Sequence, residues 1–280
     1  MKLFLLFSII SISLGFSQSL PVEEGMILDL NADEEITIED GDRVIKWTNQ
    51  VDFEAKDFIH REEGRETPGS GRPTLIMENP AIGGHNSIQF LEQELINHHE
   101  DAFDHLITGS GYTWMVVMKA YKQVIHLKDV NSFIGNLKNG GNYEGFWGNL
   151  TDDNRLWMGS RSGITFGRWD VNNPMILAED SIRTDQFYLV SGRMGAGIDT
   201  VALELFLNEM KLIASGLYPV NIKSNSSKLA IGQERDAIQH PGKESFNGEI
   251  ARVLIFERPL SDEELKEMCQ YLGSYYNLKY

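Results

Sequence analysis

The chain has 280 residues, of which 41 are acidic and 25 basic, giving a formal charge of −16. That field disfavours non-specific binding to nucleic acid and anchoring to anionic lipid. A single cysteine, Cys269, rules out an internal disulfide, so stability must come from packing and any bound ion.

The opening, "MKLFLLFSIISISLGFSQS", sets Lys2 before a short apolar run that ends in small and polar residues. This reads as a cleaved secretory signal over residues 1–18, too short and wrongly flanked for a membrane span. The mature chain is expected to begin near Gln18 to Pro21 and to be exported, whether periplasmic or extracellular. No later stretch reaches the ~18 apolar residues a span needs. Residues 19–280 contain no linker, low-complexity tract or repeat and are expected to form one domain.

Short β-branched or aromatic runs bounded by Gly, Asn, Asp or Pro then recur along the chain. They are "MILDL" (26–30), "RVIKW" (43–47), "SIQFL" (87–91), "YTWMVVMKA" (112–120), "SFIGNL" (132–137) and "EGFWGNL" (144–150). Six more follow: "RLWMGS" (155–160), "FYLVSGR" (187–193), "VALELFLN" (201–208), "KLIAS" (211–215), "KLAIG" (228–232) and "EIARVLIFE" (249–257). In the last, Ile250, Leu254 and Phe256 alternate with Ala251, Val253 and Ile255, as in a strand covered on both faces. A tight hairpin turn is expected at Asn208-Glu209. One helix is expected at the end, where Ser261 and Glu264 have capping-box spacing and Leu265, Met268, Cys269, Leu272 and Tyr276 form an apolar stripe. That stripe makes Cys269 a packing residue rather than a nucleophile. A dozen short strands and a single helix point to an all-β, two-sheet antiparallel sandwich with a short C-terminal α-helix.

The ending "FNGEIARVLIFERPLSDEELKEMCQYLGSYYNL" resembles the C-terminus of laminin-G-like, concanavalin A-like jelly-roll domains of secreted bacterial proteins. "MILDLNADEEITIEDGDRVIKWTNQ", "GRPTLIMENPAIGGHNSIQF" and "FYLVSGRMGAGIDTVALELFLNEMKLIAS" are similar to the opening strands, an R-P-x-L segment and the central hairpin of the same family. The resemblance implies a jelly roll whose concave face or rim loops hold ligands. It leaves function open, because sugar-binding modules, adhesion domains, hydrolases and lyases share this fold.

The hydrolases of that superfamily carry E-x-D-x-E on one strand face. The nearest match, "EITIE" from Glu35 to Glu39, has Thr37 in place of the aspartate and reads as a solvated strand. The richest concentration of aromatic and basic residues is "YEGFWGNLTDDNRLWMGSRSGITFGRWD" (143–170). Strict alternation would set Trp157 and Arg161 on one face. Tyr143, Trp147, Trp157, Arg161 and Trp169 are candidates for a platform that stacks on sugar rings and fixes hydroxyl or acidic groups. The alternative is that the tryptophans are core and the arginines rim charges. "GQERDAIQHPGKES" (232–245) is longer than a simple strand connection requires, and Arg235 and His240 are expected to border the same groove.

The function expected is therefore glycan or polysaccharide binding. A rival is a polysaccharide lyase acting by β-elimination on uronate-containing glycans, with His126, Tyr143, Arg161 and Arg168 as candidates for removing the proton and neutralising the carboxylate. A third reading is an adhesion or structural module that binds protein through an exposed apolar patch. For cofactors, Asp152, Asp153 and Asp236 offer the hard oxygen ligands of a structural calcium ion, though without EF-hand spacing. His98, His99 and His105 fit no standard zinc site.

Overall fold

The ten-residue strand β17 (Asn247–Phe256) organises the molecule because it is apolar on both faces and buried along its whole length. The computed structural model describes residues 19–123, 130–138, 142–165, 170–233 and 244–280. Before β17 come β1 (Met26–Asn31), β2 (Ile36–Glu39), β3 (Arg43–Thr48), β4 (Asp57–His60), β5 (Thr74–Asn79), β6 (His85–Leu91), β7 (Leu95–Asn97) and β8 (Tyr112–Ala120). The series continues with β9 (Asn131–Gly135), β10 (Glu144–Leu150), β11 (Arg155–Ser162), β12 (Met175–Ser181), β13 (Tyr188–Met194), β14 (Thr200–Leu207), β15 (Lys211–Pro219) and β16 (Ala230–Ile231). All the named pairings are antiparallel.

The hydrogen-bonded network runs in two stretches. In the first sheet the order is β15-β14-β13-β8-β17, with β1 along the C-terminal half of β17 and β6, then β5, along its N-terminal half. The second runs β12-β11-β10-β9-β16-β7-β4-β3-β2. Among the described residues, one pairing between named strands, Arg43 with Thr74, joins them. Between the sheets Trp114, Val116, Val190, Leu203 and Val253 meet Trp47, Phe58, Phe133, Phe146 and Leu156 in one buried cluster. The chain is thus the two-sheet antiparallel sandwich that its strand pattern implies.

The alternation of β17 differs from the sequence expectation in one detail. Ile250, Val253 and Ile255 face the inter-sheet core, and Ala251, Leu254 and Phe256 face outward. A register shift between Ile250 and Arg252 opposite β8 changes the parity, as an inserted bulge residue must. Four strands escaped the sequence pattern: β4, β5, β7 and β12. The turn after β14 also differs. Leu207 pairs with Lys211, so three residues make the turn, with positive φ at Asn208 and Met210.

Outside the first sheet lies the helix α1 (Asp262–Tyr275). Leu265, Met268, Cys269, Leu272 and Tyr276 pack on Met115, Val117, Leu189, Leu254 and Phe256. Burial pushes the Cys269 thiol up to about 11, which leaves it protonated and inert. At the helix start the Glu264 amide donates to Ser261 Oγ at 3.2 Å, and the Ser261 amide donates to the Glu264 carboxylate at 2.8 Å. Arg258 grips the same carboxylate with two bonds of 2.8 and 2.9 Å, and these bonds hold it down at about 2. Ser261→Ala removes one capping bond and should cost about 1 kcal/mol in a denaturant melt; an unchanged midpoint would contradict the cap's role.

Candidate ligand site on the outer face of the second sheet

Neighbouring strands β10 and β11 set Trp147 opposite Gly159, Asn149 opposite Trp157 and Gly145 opposite Arg161. Phe146, Leu150, Leu156 and Met158 turn inward to the core, so the alternate residues Trp147, Asn149, Trp157 and Arg161 share the outer face. Gly159 is required here. A Cβ at that position would lie 2.5 Å from the Trp147 ring, so the missing side chain is what lets the indole lie across β11.

Four of the residues singled out in the sequence are brought together. Trp147 and Trp157 meet edge to face, with centroids 5.6 Å apart and planes at 77°. The Arg161 guanidinium sits 4.6 Å from the Tyr143 ring centre and 5.9 Å from that of Trp147. Val130 and Leu137 close the cluster, with Met175 and Leu177 half-buried beside it. The expectation of an open aromatic platform needs correction. Trp147 and Trp157 keep 1% and 2% of their surface exposed and Arg161 3%, so the rings form a floor and the arginine is not a rim charge. Tyr143 alone of the four is half-exposed.

Asn149 gave no signal in the sequence and is the most unusual group of the site. It is fully buried between the two tryptophan positions, and neither atom of its carboxamide has a hydrogen-bond partner among the described residues. Dry burial of such a group costs about 1–3 kcal/mol unless it is hydrogen-bonded.

At the margin of this face, Asp104 accepts bonds from the Ser226 amide at 2.8 Å and its hydroxyl at 2.7 Å. Lys138 is bonded to Asn225. Burial raises the carboxyls of Asp104 and Glu144 above the usual range. Of the other candidates, His126, Arg168, Trp169, Arg235, Asp236 and His240 lie outside the described residues. For the segment 234–243, the described ends meet beside β9. Ser245 bridges both Gln233 and Ser132, and Ser132 pairs with Asn149 on β10.

Among the described residues no group of three metal-ligating side chains gathers. Asp153, a calcium candidate, accepts from Thr151 Oγ1 at 2.5 Å and from Arg155 Nε at 3.3 Å. Those bonds lower its carboxyl below the ordinary value. The strand from Ile36 to Glu39 is largely exposed, as a solvated face should be. A second polar cluster surrounds Glu249, which accepts from Tyr121, Lys119, Asn79 and Ser87 at 2.6 to 3.3 Å. With both its oxygens doubly bonded in this way, Glu249 ties β17 to β6 and β8.

No protein-family model and no curated protein sequence matches the chain. Solved structures do resemble it, and they define its class as an antiparallel β-sandwich. One is the binding domain of botulinum neurotoxin DC in complex with SialylT, with 12% identity and a TM-score of 0.50. The likeness covers 89% of this chain and 52% of that one. Another is a Trypanosoma rangeli sialidase in complex with 2-keto-3-deoxy-D-glycero-D-galacto-2,3-difluoro-nononic acid, also at 12% identity and a TM-score of 0.50, covering 89% of this chain and 33% of that one. Domain 4 of an extracellular arabinanase from Geobacillus stearothermophilus, in complex with arabinotriose, is 16% identical with a TM-score of 0.45, covering 89% of this chain and 100% of the domain. Identities this low speak to the fold alone. Among the described residues no helix is long and apolar enough to cross a membrane.

Proposed function

We propose that this is an exported protein that binds carbohydrate at the outer face of β9, β10 and β11. The observation that carries the reading is the Asn149 carboxamide, buried without a partner among the described residues between two indoles and close in register to an arginine–tyrosine pair. Sugar ligands match this chemistry because they present apolar C–H faces to aromatic rings and hydroxyls to amide and guanidinium groups. Tyr143 is the half-exposed entrance, and the tryptophans are the floor below it.

A glycan array probed with wild-type and variant protein tests this reading. Asn149→Leu should hold or raise the melting temperature, because replacing an unsatisfied buried polar group by an apolar one of similar size is nearly neutral. The same change should weaken glycan binding about tenfold or more, the effect of losing one or two hydrogen bonds of about 1 kcal/mol each. Unchanged binding in Asn149→Leu, or no glycan retained by wild type, would count against the site.

One observation favours the second reading, β-elimination from a uronate glycan. The Arg161 guanidinium over the Tyr143 ring pairs a base with a cation that can neutralise a carboxylate. Release of unsaturated product from uronate polysaccharides, lost in Tyr143→Phe, would establish it.

A further inference from the structure

A cavity opens on the side of the sandwich, between the two edge strands β12 and β15. Trp157 pairs with Leu177 and Arg155 with Ser181, so Ala178, Glu179 and Asp180 bulge out opposite the single residue Leu156. On β15, Leu205 pairs with Ala214 and Phe206 with Leu212, which leaves Ile213 as an extra residue. The two bulges line a common cavity of about 250 Å³. Farther along, the edges close: a Cβ on Gly216 would lie 2.6 Å from Ile176 Cγ2. Bulges of this kind re-aim side chains and end pairing, and they concentrate beside functional sites.

The cavity reaches the core of the sandwich. Its floor is Leu156, Ala178, Tyr188 and Leu207. On the β12 lip stand the exposed carboxylates of Glu179 and Asp180, neither ion-paired among the described residues, and Lys211 stands on the other. An apolar cavity of about 150 Å³ takes up benzene, so this volume suits one ring with a short chain. Two carboxylates against one ammonium, in a chain of charge −16, favour a cationic head group.

We infer that this cleft binds a small amine carrying a single apolar ring or a ring-sized branched alkyl group, at a site separate from the glycan face. The ring displaces solvent from the core floor, and the ammonium sits between Glu179 and Asp180.

Three isosteric probes test it on the full exported chain by chemical-shift titration: phenethylamine, 2-phenylethanol and phenylacetate. The amine should bind saturably and shift residues of β12 and β15, the alcohol should bind about tenfold more weakly, and the acid more weakly still. Glu179→Gln with Asp180→Asn, both at exposed positions, should bring the amine down to the level of the alcohol and leave the alcohol unchanged. Ala178→Phe fills the cavity and should abolish binding of all three. No saturable binding of the amine would overturn the inference. So would equal affinity for amine and alcohol, or amine binding that survives both the charge and the filling variants.

Discussion

Arg252→Leu should destabilise the protein by about 3–5 kcal/mol, the loss expected when one member of a buried ion pair is removed. Arg252 Nε donates to Asp29 Oδ1 at 2.8 Å and Nη2 to Oδ2 at 2.6 Å, a two-pronged contact between residues that are 7% and 5% exposed. Burial works against the guanidinium charge, and the Asp29 carboxylate more than restores it, so the arginine stays charged at every accessible pH. The pair ties β1 to β17 diagonally, since Asn31 is the residue opposite Arg252. Asp29 is fixed in turn by the hydrogen bond its backbone amide donates to Asn49 Oδ1 at 2.9 Å. Without Arg252 the buried carboxylate loses its counter-ion. The double variant Asp29→Leu with Arg252→Leu should therefore cost less than Arg252→Leu alone, because no charge is left stranded. Chemical denaturation that shows additive losses in the double variant would contradict this account of the pair.

A second large effect should appear as a pH dependence centred on Glu94. Its side chain has no exposed surface, and burial lifts its carboxyl to about 7 despite the ion pair with Arg65 at 2.7 Å and the nearby charge of Arg61. In the unfolded chain the same carboxyl titrates at its ordinary value of 4.5. Between these values the native state holds a proton that the unfolded state has released, so stability is full below about 4.5 and declines as pH rises through about 7. The decline should amount to roughly 3 kcal/mol. Glu94→Gln, always neutral, should remove that slope from the window. Parallel stability curves for wild type and Glu94→Gln would show that Glu94 does not titrate as described.

Much of the architecture is legible in the strand pattern, because β8, β10, β13 and β17 are long and apolar enough that only a covered sheet suits them. The missed strands are of another kind. Two of them, β4 and β7, have only four and three residues, and they pair with each other and, for β7, with the distant β16. In β12 the apolar start runs directly into Glu179 and Asp180, where the strand bulges off its partner, so the alternation fails at the point where the side cavity opens. The site divides in the same way. Alternation along β11 correctly sets Trp157 and Arg161 on one face, but period alone cannot say whether that face is open or covered, and the tryptophans turn out buried. Asn149 sits in an ordinary "GNL" run and stands out only when its partners are sought in three dimensions. Arg252 and Asp29, 223 positions apart, could not be paired from spacing.

The central claim, that a glycan occupies the outer face of the second sheet, is tested most directly by amide hydrogen exchange of the protein with and without the tightest ligand from the array. Slowed exchange concentrated in Glu144–Leu150 and Arg155–Ser162 is the result this account predicts. A glycan that binds but slows exchange only in α1 or along β14 and β15, leaving β10 and β11 unchanged, would contradict it.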